Sequence, residues 1–176
     1  TRLMNYNKMK KTLLDLFEES VRLYPNNTFL LEKTGKVFEP TTYTQVKEKV
    51  YQLGAGLQAL GVKKGDSMAL LSEGRNWWII GELAMFYAGA MNVPLSIKLE
   101  ESNDLLFRLV HGDVKFIMVS GTKLKKIRLI KEQLPEVQKV IVFDEQDHYE
   151  DGEVFIGDVV KMGEEFLSEH TMEELL

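Results

Sequence analysis

Histidine is the first residue to test for chemistry, because imidazole titrates near neutrality and ligates metals. The chain has three, His111, His148 and His170. They lie far apart, in no metal-ligand spacing. There is no cysteine. Disulfide scaffolds, thiolate nucleophiles, thiolate zinc sites and iron–sulfur clusters are therefore excluded. His148 stands among Asp144, Glu145, Asp147, Glu150 and Asp151. Such a cluster suits a weak cation site, but the EF-hand order is absent, so a solvated acidic loop is favoured.

Phosphate-binding and nucleophile motifs fail in their details. Gly54-Ala55-Gly56 opens a dinucleotide-type glycine pattern, but position 59 is Ala and the run falls inside a helical segment. Gly56 to Gly61 has P-loop spacing, yet Val62 stands where a lysine belongs. Small residues that let helices approach closely are the favoured reading. Ser120-Gly121 follows Met118-Val119, so no nucleophile elbow is present. Lys115, Lys123, Lys125, Lys126, Arg128 and Lys131 form a basic run that could attract anions. Leu124, Ile127, Ile130 and Leu134 share it at helical spacing, so the run is expected to be a wet helix face. Trp77 and Trp78 head an apolar helix and are expected in the core rather than on a ligand. Arg75 and Trp78 are weak candidates for ligand contact, with Arg75 favoured as a structural surface residue. No catalytic, cofactor-binding or metal residue is assigned from the sequence.

Composition bounds what these residues can belong to. The 176 residues are 44% hydrophobic and 28% charged, as in an ordinary folded domain with a real core. The net charge of -5 is uneven. Residues 144–176 hold 12 acidic residues and one basic, Lys161, a net of -11; residues 1–143 therefore carry +6. An acidic tail on such a body argues against nucleic-acid binding. The most apolar stretch, 77–91, is interrupted by Glu82 and is shorter than the roughly 20 residues of a membrane span. Residues 1–11 carry Arg2, Lys8, Lys10 and Lys11 with no apolar run behind them, unlike a signal peptide.

The positioning elements follow from periodicity. Residues 12–24 predict a helix with Leu13, Leu16, Phe17, Val21 and Tyr24 on one face, Thr12 as N-cap and Pro25 as stop. Two β runs, 28–31 and 36–39, flank the hairpin signal Lys33-Thr34-Gly35, and Pro40 ends the second. Thr42 and Gln45 form a capping box. Its helix carries Tyr43, Val46, Val50, Leu53, Leu57 and Leu60 and ends at Gly61. Strands are predicted at 67–71, 115–119, 139–143 and 154–156. Helices are predicted at 77–91, 101–111, 122–134 and from 157 to about 169. A short run reaches Val93 and stops at Pro94. The polar stretch 72–76 is read as a loop, and 144–153 as an exposed, mobile one. Strands alternating with helices of this length imply an α/β fold of βαβ units, with a largely parallel sheet flanked by helices and right-handed crossovers. No linker or domain boundary is visible.

Several blocks, in order and at matching spacing, carry a family resemblance. Thr42-Tyr43-Thr44-Gln45-Val46 leads through a helix to Gly61-Val62-Lys63-Lys64-Gly65-Asp66-Ser67-Met68-Ala69-Leu70-Leu71. Then come Ser72-Glu73-Gly74-Arg75-Asn76-Trp77-Trp78 and Ala88-Gly89-Ala90-Met91-Asn92-Val93-Pro94-Leu95. This series resembles the opening of the AMP-forming acyl-CoA synthetases, the adenylate-forming superfamily, over about residues 12–143. The Ser72-Glu73 and Arg75 pattern is most like long-chain fatty acid–CoA ligases. Gly74, Asn76 and Trp77 depart from that subfamily's usual Asn, Pro and Glu.

The resemblance implies one N-terminal fragment, residues 1–176, of a large adenylation domain, with a family-like core at 12–143 and an acidic loop and C-terminal helix at 144–176. Family members are about three times longer. Their Ser/Thr/Gly-rich phosphate loop, nucleotide and acyl pockets, magnesium-binding acid and adenylation lysine have no counterpart in these 176 residues. By resemblance, the parent joins fatty acid, ATP and coenzyme A through an acyl-adenylate, with Mg²⁺. The fragment alone is expected to be inactive and to hold no cofactor. Its expected partners are the remainder of its own domain and a second copy through exposed apolar surface, with no nucleic acid. The implied location is cytoplasmic, with a membrane-peripheral parent as the variant. Two alternatives stay open: a fragment of a short-chain acyl, aryl or amino acid activating relative, and a stand-alone non-catalytic α/β binding module.

Overall fold

A computed structural model of the chain describes residues 12–96 and 102–170. The chain divides into two compact units, residues 1–48 and 49–176. The division falls inside a continuous helix, which is why the sequence shows no linker there.

The first unit opens with α1 (Leu13–Leu23). Thr12 and Asp15 cap it reciprocally, each side chain accepting from the other's backbone N–H at 3.1 Å. Phe17 and Val21 are buried, but Leu13, Leu16 and Tyr24 of the predicted apolar face are about half exposed. β1 (Thr28–Thr34) and β2 (Val37–Thr42) form an antiparallel hairpin. Gly35 takes φ +65° at its turn, where a Cβ would be strained. Pro40 does not end β2 as expected; it pairs with Leu31. A two-stranded sheet has only edge strands, where the missing proline N–H can face outward. Phe29 stacks on Tyr43 with ring centroids 4.5 Å apart.

α2 (Tyr43–Leu60) starts at the predicted capping box, with Thr42 N–H donating to Gln45 Oε1 at 2.9 Å. Val46, Val50, Leu53 and Leu57 of its stripe are buried. It ends in a Schellman motif, with Val62 N–H on the Leu57 carbonyl at 2.9 Å and Gly61 at φ +119°.

The second unit is a parallel α/β sheet. Its strands are β3 (Ser67–Leu71), β4 (Met91–Val93), β5 (Val114–Val119), β6 (Lys139–Val142) and β7 (Glu153–Phe155), in spatial order β4-β3-β5-β6-β7. All four pairings are parallel. The α/β expectation holds. The helices are α3 (Asn76–Tyr87), α4 (Ser102–His111), α5 (Leu124–Ile130) and α6 (Ile156–Glu169).

Both faces of the sheet are buried, as a parallel sheet requires. On one face Ala69, Leu71, Ile117, Val119, Val140 and Val142 pack with Leu105 and Leu109 of α4 and with Leu124, Ile127 and Ile130 of α5. On the other, Leu70 and Met118 press so closely on Gly81 of α3 that an added methyl would crowd both. α2 and α6 meet backbone to backbone. A methyl at Gly56 would overlap the Val159 carbonyl, and one at Gly163 the Gln52 carbonyl. The small-residue reading of the glycine run therefore holds.

Two predicted helices are shorter than expected. The 77–91 run splits, because Ala90 N–H bonds the Met85 carbonyl and Gly89 N–H that of Phe86. This Schellman motif, with Gly89 at φ +82°, frees 91–93 to become β4. The 122–134 run becomes α5 plus a 3₁₀ turn, Lys131–Gln133. Of the predicted 101–111 helix, residue 101 lies outside the described residues. The observed β6 and β7 each lie within one residue of the expected bounds.

Candidate functional site

The second strand of this sheet, β4, lies to one side of β3, and the third, β5, to the other. Loops leaving β3 and β5 therefore diverge. This is the switch point where open α/β sheets place ligands, outside the carboxyl ends of the strands. Each of β3, β5 and β6 is apolar and buried until a polar residue follows: Ser72, Ser120, and Asp144 after Phe143.

These residues join into one network. Ser120, fully buried, donates to Glu73 Oε2 at 2.9 Å, and Thr122 donates to the same oxygen at 3.0 Å. Arg75 Nη1 donates to Asp144 Oδ2 at 2.8 Å and lies 3.7 Å from Glu73 Oε1. The Gly121 N–H reaches the same Asp144 oxygen at 2.7 Å. A methyl on Gly121 would stand about 3 Å from the Asp144 and Gln146 side chains, so this close approach favours glycine. The Arg75 guanidinium also sits 5.9 Å from the Phe143 ring centre, and Trp77 stacks on that ring at 6.3 Å.

Electrostatics follow the geometry. The Arg75 hydrogen bond, opposed by burial and helped by the Gly121 N–H, holds the Asp144 carboxyl below its usual range. Burial works against the Glu73 charge, but its own backbone N–H, Ser120, Thr122 and Arg75 outweigh it and keep the carboxyl low. Both acids are thus ionised at neutral pH, and the network of Glu73, Asp144 and Arg75 carries a net charge of -1 by residue charge. That sign repels phosphates. Ser120 is buried and hydrogen-bonded to a carboxylate, with no histidine beside it, so it is no exposed nucleophile. Among the described residues, no group of three His, Asp or Glu is placed to hold a metal ion. The residues do not fit magnesium. What the arrangement does is bind three loops together at the sheet's ligand-facing end.

Arg75, favoured as a structural surface residue, is half-buried in an ion pair with Asp144 rather than on the surface. Trp77 and Trp78 are half-buried, not core residues. Trp78 takes no part in the network; it lines a separate cavity with Leu70, Glu82 and Asn92. The basic run is more than a wet face. Arg128 grips Glu153 at 2.6 and 2.9 Å, and Lys115 lies 3.3 Å from both Asp113 and Glu136. Lys131 bonds the Asp151 carbonyl. The acidic loop is likewise exposed only in its middle. Its ends are pinned, Asp144 by Arg75 and the fully buried Glu153 carboxylate by Arg128. Sequence reading missed Glu73, Ser120, Thr122 and Asp144 as one group. The signal available was the recurrence of a polar residue just after three apolar strands.

Comparison with known proteins places this geometry. The family described as AMP-binding enzyme matches residues 17–170. Long chain acyl-CoA synthetase 1 of Arabidopsis thaliana is 31% identical over 120 residues, covering 65% of this chain and 18% of that protein. Surfactin synthase subunit 1 of Bacillus subtilis is 27% identical over 143 residues, covering 79% of this chain and 4% of that protein. The chain thus spans less than a fifth of either relative. An anthranilate CoA ligase crystal structure superposes with a TM-score of 0.74 at 23% identity, over 84% of this chain and 27% of that one. A long-chain-fatty-acid-CoA ligase from Archaeoglobus fulgidus gives 0.75 at 16% identity, over 88% and 30%. At these identities the two structures show a shared fold. With the family pattern running through nearly all of the described residues, the chain belongs to the AMP-binding enzyme family of the adenylate-forming superfamily.

Proposed function

We propose that the chain is the N-terminal part, residues 1–176, of the adenylation domain of an ATP-dependent long-chain fatty acid–CoA ligase. The observation that carries this is the ordered series of blocks from Thr42 to Leu95, with Ser72-Glu73 and Arg75 pointing to long acyl chains. Relatives named for long-chain acyl substrates support it: Arabidopsis thaliana synthetase 4 is 29% identical over 162 residues. In this reading the parent forms an acyl-adenylate from fatty acid and ATP, with Mg²⁺, and passes the acyl group to coenzyme A. A weakly nucleophilic carboxylate must meet an anionic phosphate, which demands alignment and charge neutralisation. The loop network supplies neither. Its role is to hold the sheet end on which the rest of the domain stands, and the 176 residues alone do not catalyse. The parent is cytoplasmic or membrane-peripheral.

Sequencing the parent reading frame past Leu176 tests the assignment. A Thr-Ser-Gly-Thr-Thr-Gly-x-Pro-Lys-like loop soon after that point is expected. An in-frame stop would favour a stand-alone binding module. A second reading, an amino acid or aryl activating parent, draws on the surfactin synthase relative and is separated by the substrate panel described in the Discussion.

A further inference from the structure

A cavity of about 250 Å³ opens beside β3, away from the loop network. Leu70, Trp78, Pro94 and Leu95 give it apolar walls, and Asn92 and Glu82 give it polar atoms. Trp78 and Glu82 are four residues apart on α3, so they share one helix face. Glu82 is half-buried. Among the described residues it has no hydrogen-bond or ion-pair partner, whereas the carboxylates of Glu73, Asp144 and Glu153 are each held by an arginine or hydroxyl. Burial alone acts on it and raises its carboxyl above the usual range. A carboxylate that stays without a partner in apolar surroundings is costly to bury. Next to it stands an indole, whose face attracts cations.

We propose that this cavity is a binding site for a cation on an apolar stem, with Glu82 as counter-ion and the Trp78 ring and the Leu70–Leu95 walls holding the stem. The chemistry is shared by two sources: a free alkylammonium compound, and a lysine side chain brought by parent sequence outside these residues. The volume suits either, since both present an ammonium on a chain of about four carbons. Pro94 and Leu95 directly follow β4, which among the described residues pairs on one side only, so the cavity lies at that end of the sheet order.

The probe is n-butylammonium chloride, read on the Trp78 indole N–H resonance. A Trp77→Phe variant assigns that resonance, because the chain has two tryptophans. A saturable shift with a midpoint on the order of millimolar is expected, absent with sodium chloride at equal ionic strength. Glu82→Gln should weaken it about fivefold or more. n-Butanol, which carries the stem without the charge, gives a comparison on the unaltered chain that does not depend on any variant folding. Equal binding of butanol, an unchanged midpoint in Glu82→Gln, or no saturable shift would overturn the proposal. The full-length parent separates the sources. Retained butylammonium binding there points to a free amine, and lost binding to the parent's own basic side chain.

Discussion

Asp144 joins three elements through one oxygen: Oδ2 takes the Arg75 guanidinium at 2.8 Å and the Gly121 N–H at 2.7 Å. Glu153 is the deeper case, a fully buried carboxylate gripped by Arg128. Removing a partner from such a pair leaves a buried charge uncompensated. Arg128→Ala should therefore cost on the order of 3 kcal/mol in a urea unfolding curve. Asp144→Asn, at a more exposed pair, should cost about 1 kcal/mol. Glu73, Asp144 and Glu153 all have carboxyls lowered in the folded chain. Their contribution is complete above the ordinary carboxylate range and is lost as pH falls through the lowered folded values. Thermal unfolding should show this as a decline beginning below about pH 4.5. The decline should be shallower in Asp144→Asn, and an unchanged acid limb there would refute the assignment. None of these pairs was legible beforehand. Glu73 and Ser120 are 47 residues apart, Arg75 and Asp144 69, and side-chain pairing at that range is set by strand order.

Elements read better than pairs, because periodicity is local. The N-cap at Thr12, the capping box at Thr42 and the strands β3, β5 and β6 were all legible, though the reciprocal Asp15 bond at Thr12 was not. The split of residues 77–91 was not. Ala88-Gly89-Ala90 continues an apolar run, and only the backbone hydrogen bonds reveal the helix end. Gly56 on α2 was visible as a small residue in a helix, though its partnership with α6 and Gly163 there was not. Gly163→Ala should force these helices apart and cost about 1–3 kcal/mol, the usual range for overpacking. Gly74→Ala, where a methyl meets nothing within 4 Å, should leave the melting temperature within about a degree. Similar losses in both variants would contradict the close packing of α2 on α6.

At the scale of the whole molecule, the chain is a minor part of the length of its relatives, from 4% of the surfactin synthase subunit to 30% of the Archaeoglobus fulgidus ligase. Exposed apolar side chains are plentiful: Leu31, Val37 and Phe38 on the β1–β2 hairpin, and Phe107, Val110 and Leu129 on α4 and α5. We expect the isolated chain to self-associate and to bind a hydrophobic dye. A strictly monomeric chain at high concentration without dye binding would count against that. The fold class was legible at this scale, since alternating strands and helices leave few topologies. A substrate class was suggested only through the resemblance, by the Ser72-Glu73 and Arg75 pattern.

The most direct measurement is AMP release by the full-length parent, with palmitate, acetate, benzoate and an amino acid compared under one set of conditions, alongside the 176-residue chain. The account predicts coenzyme A-dependent AMP formation fastest with palmitate, and none from the chain alone. Preference for acetate, benzoate or an amino acid, or fatty-acid-dependent AMP formation by the chain itself, would contradict it.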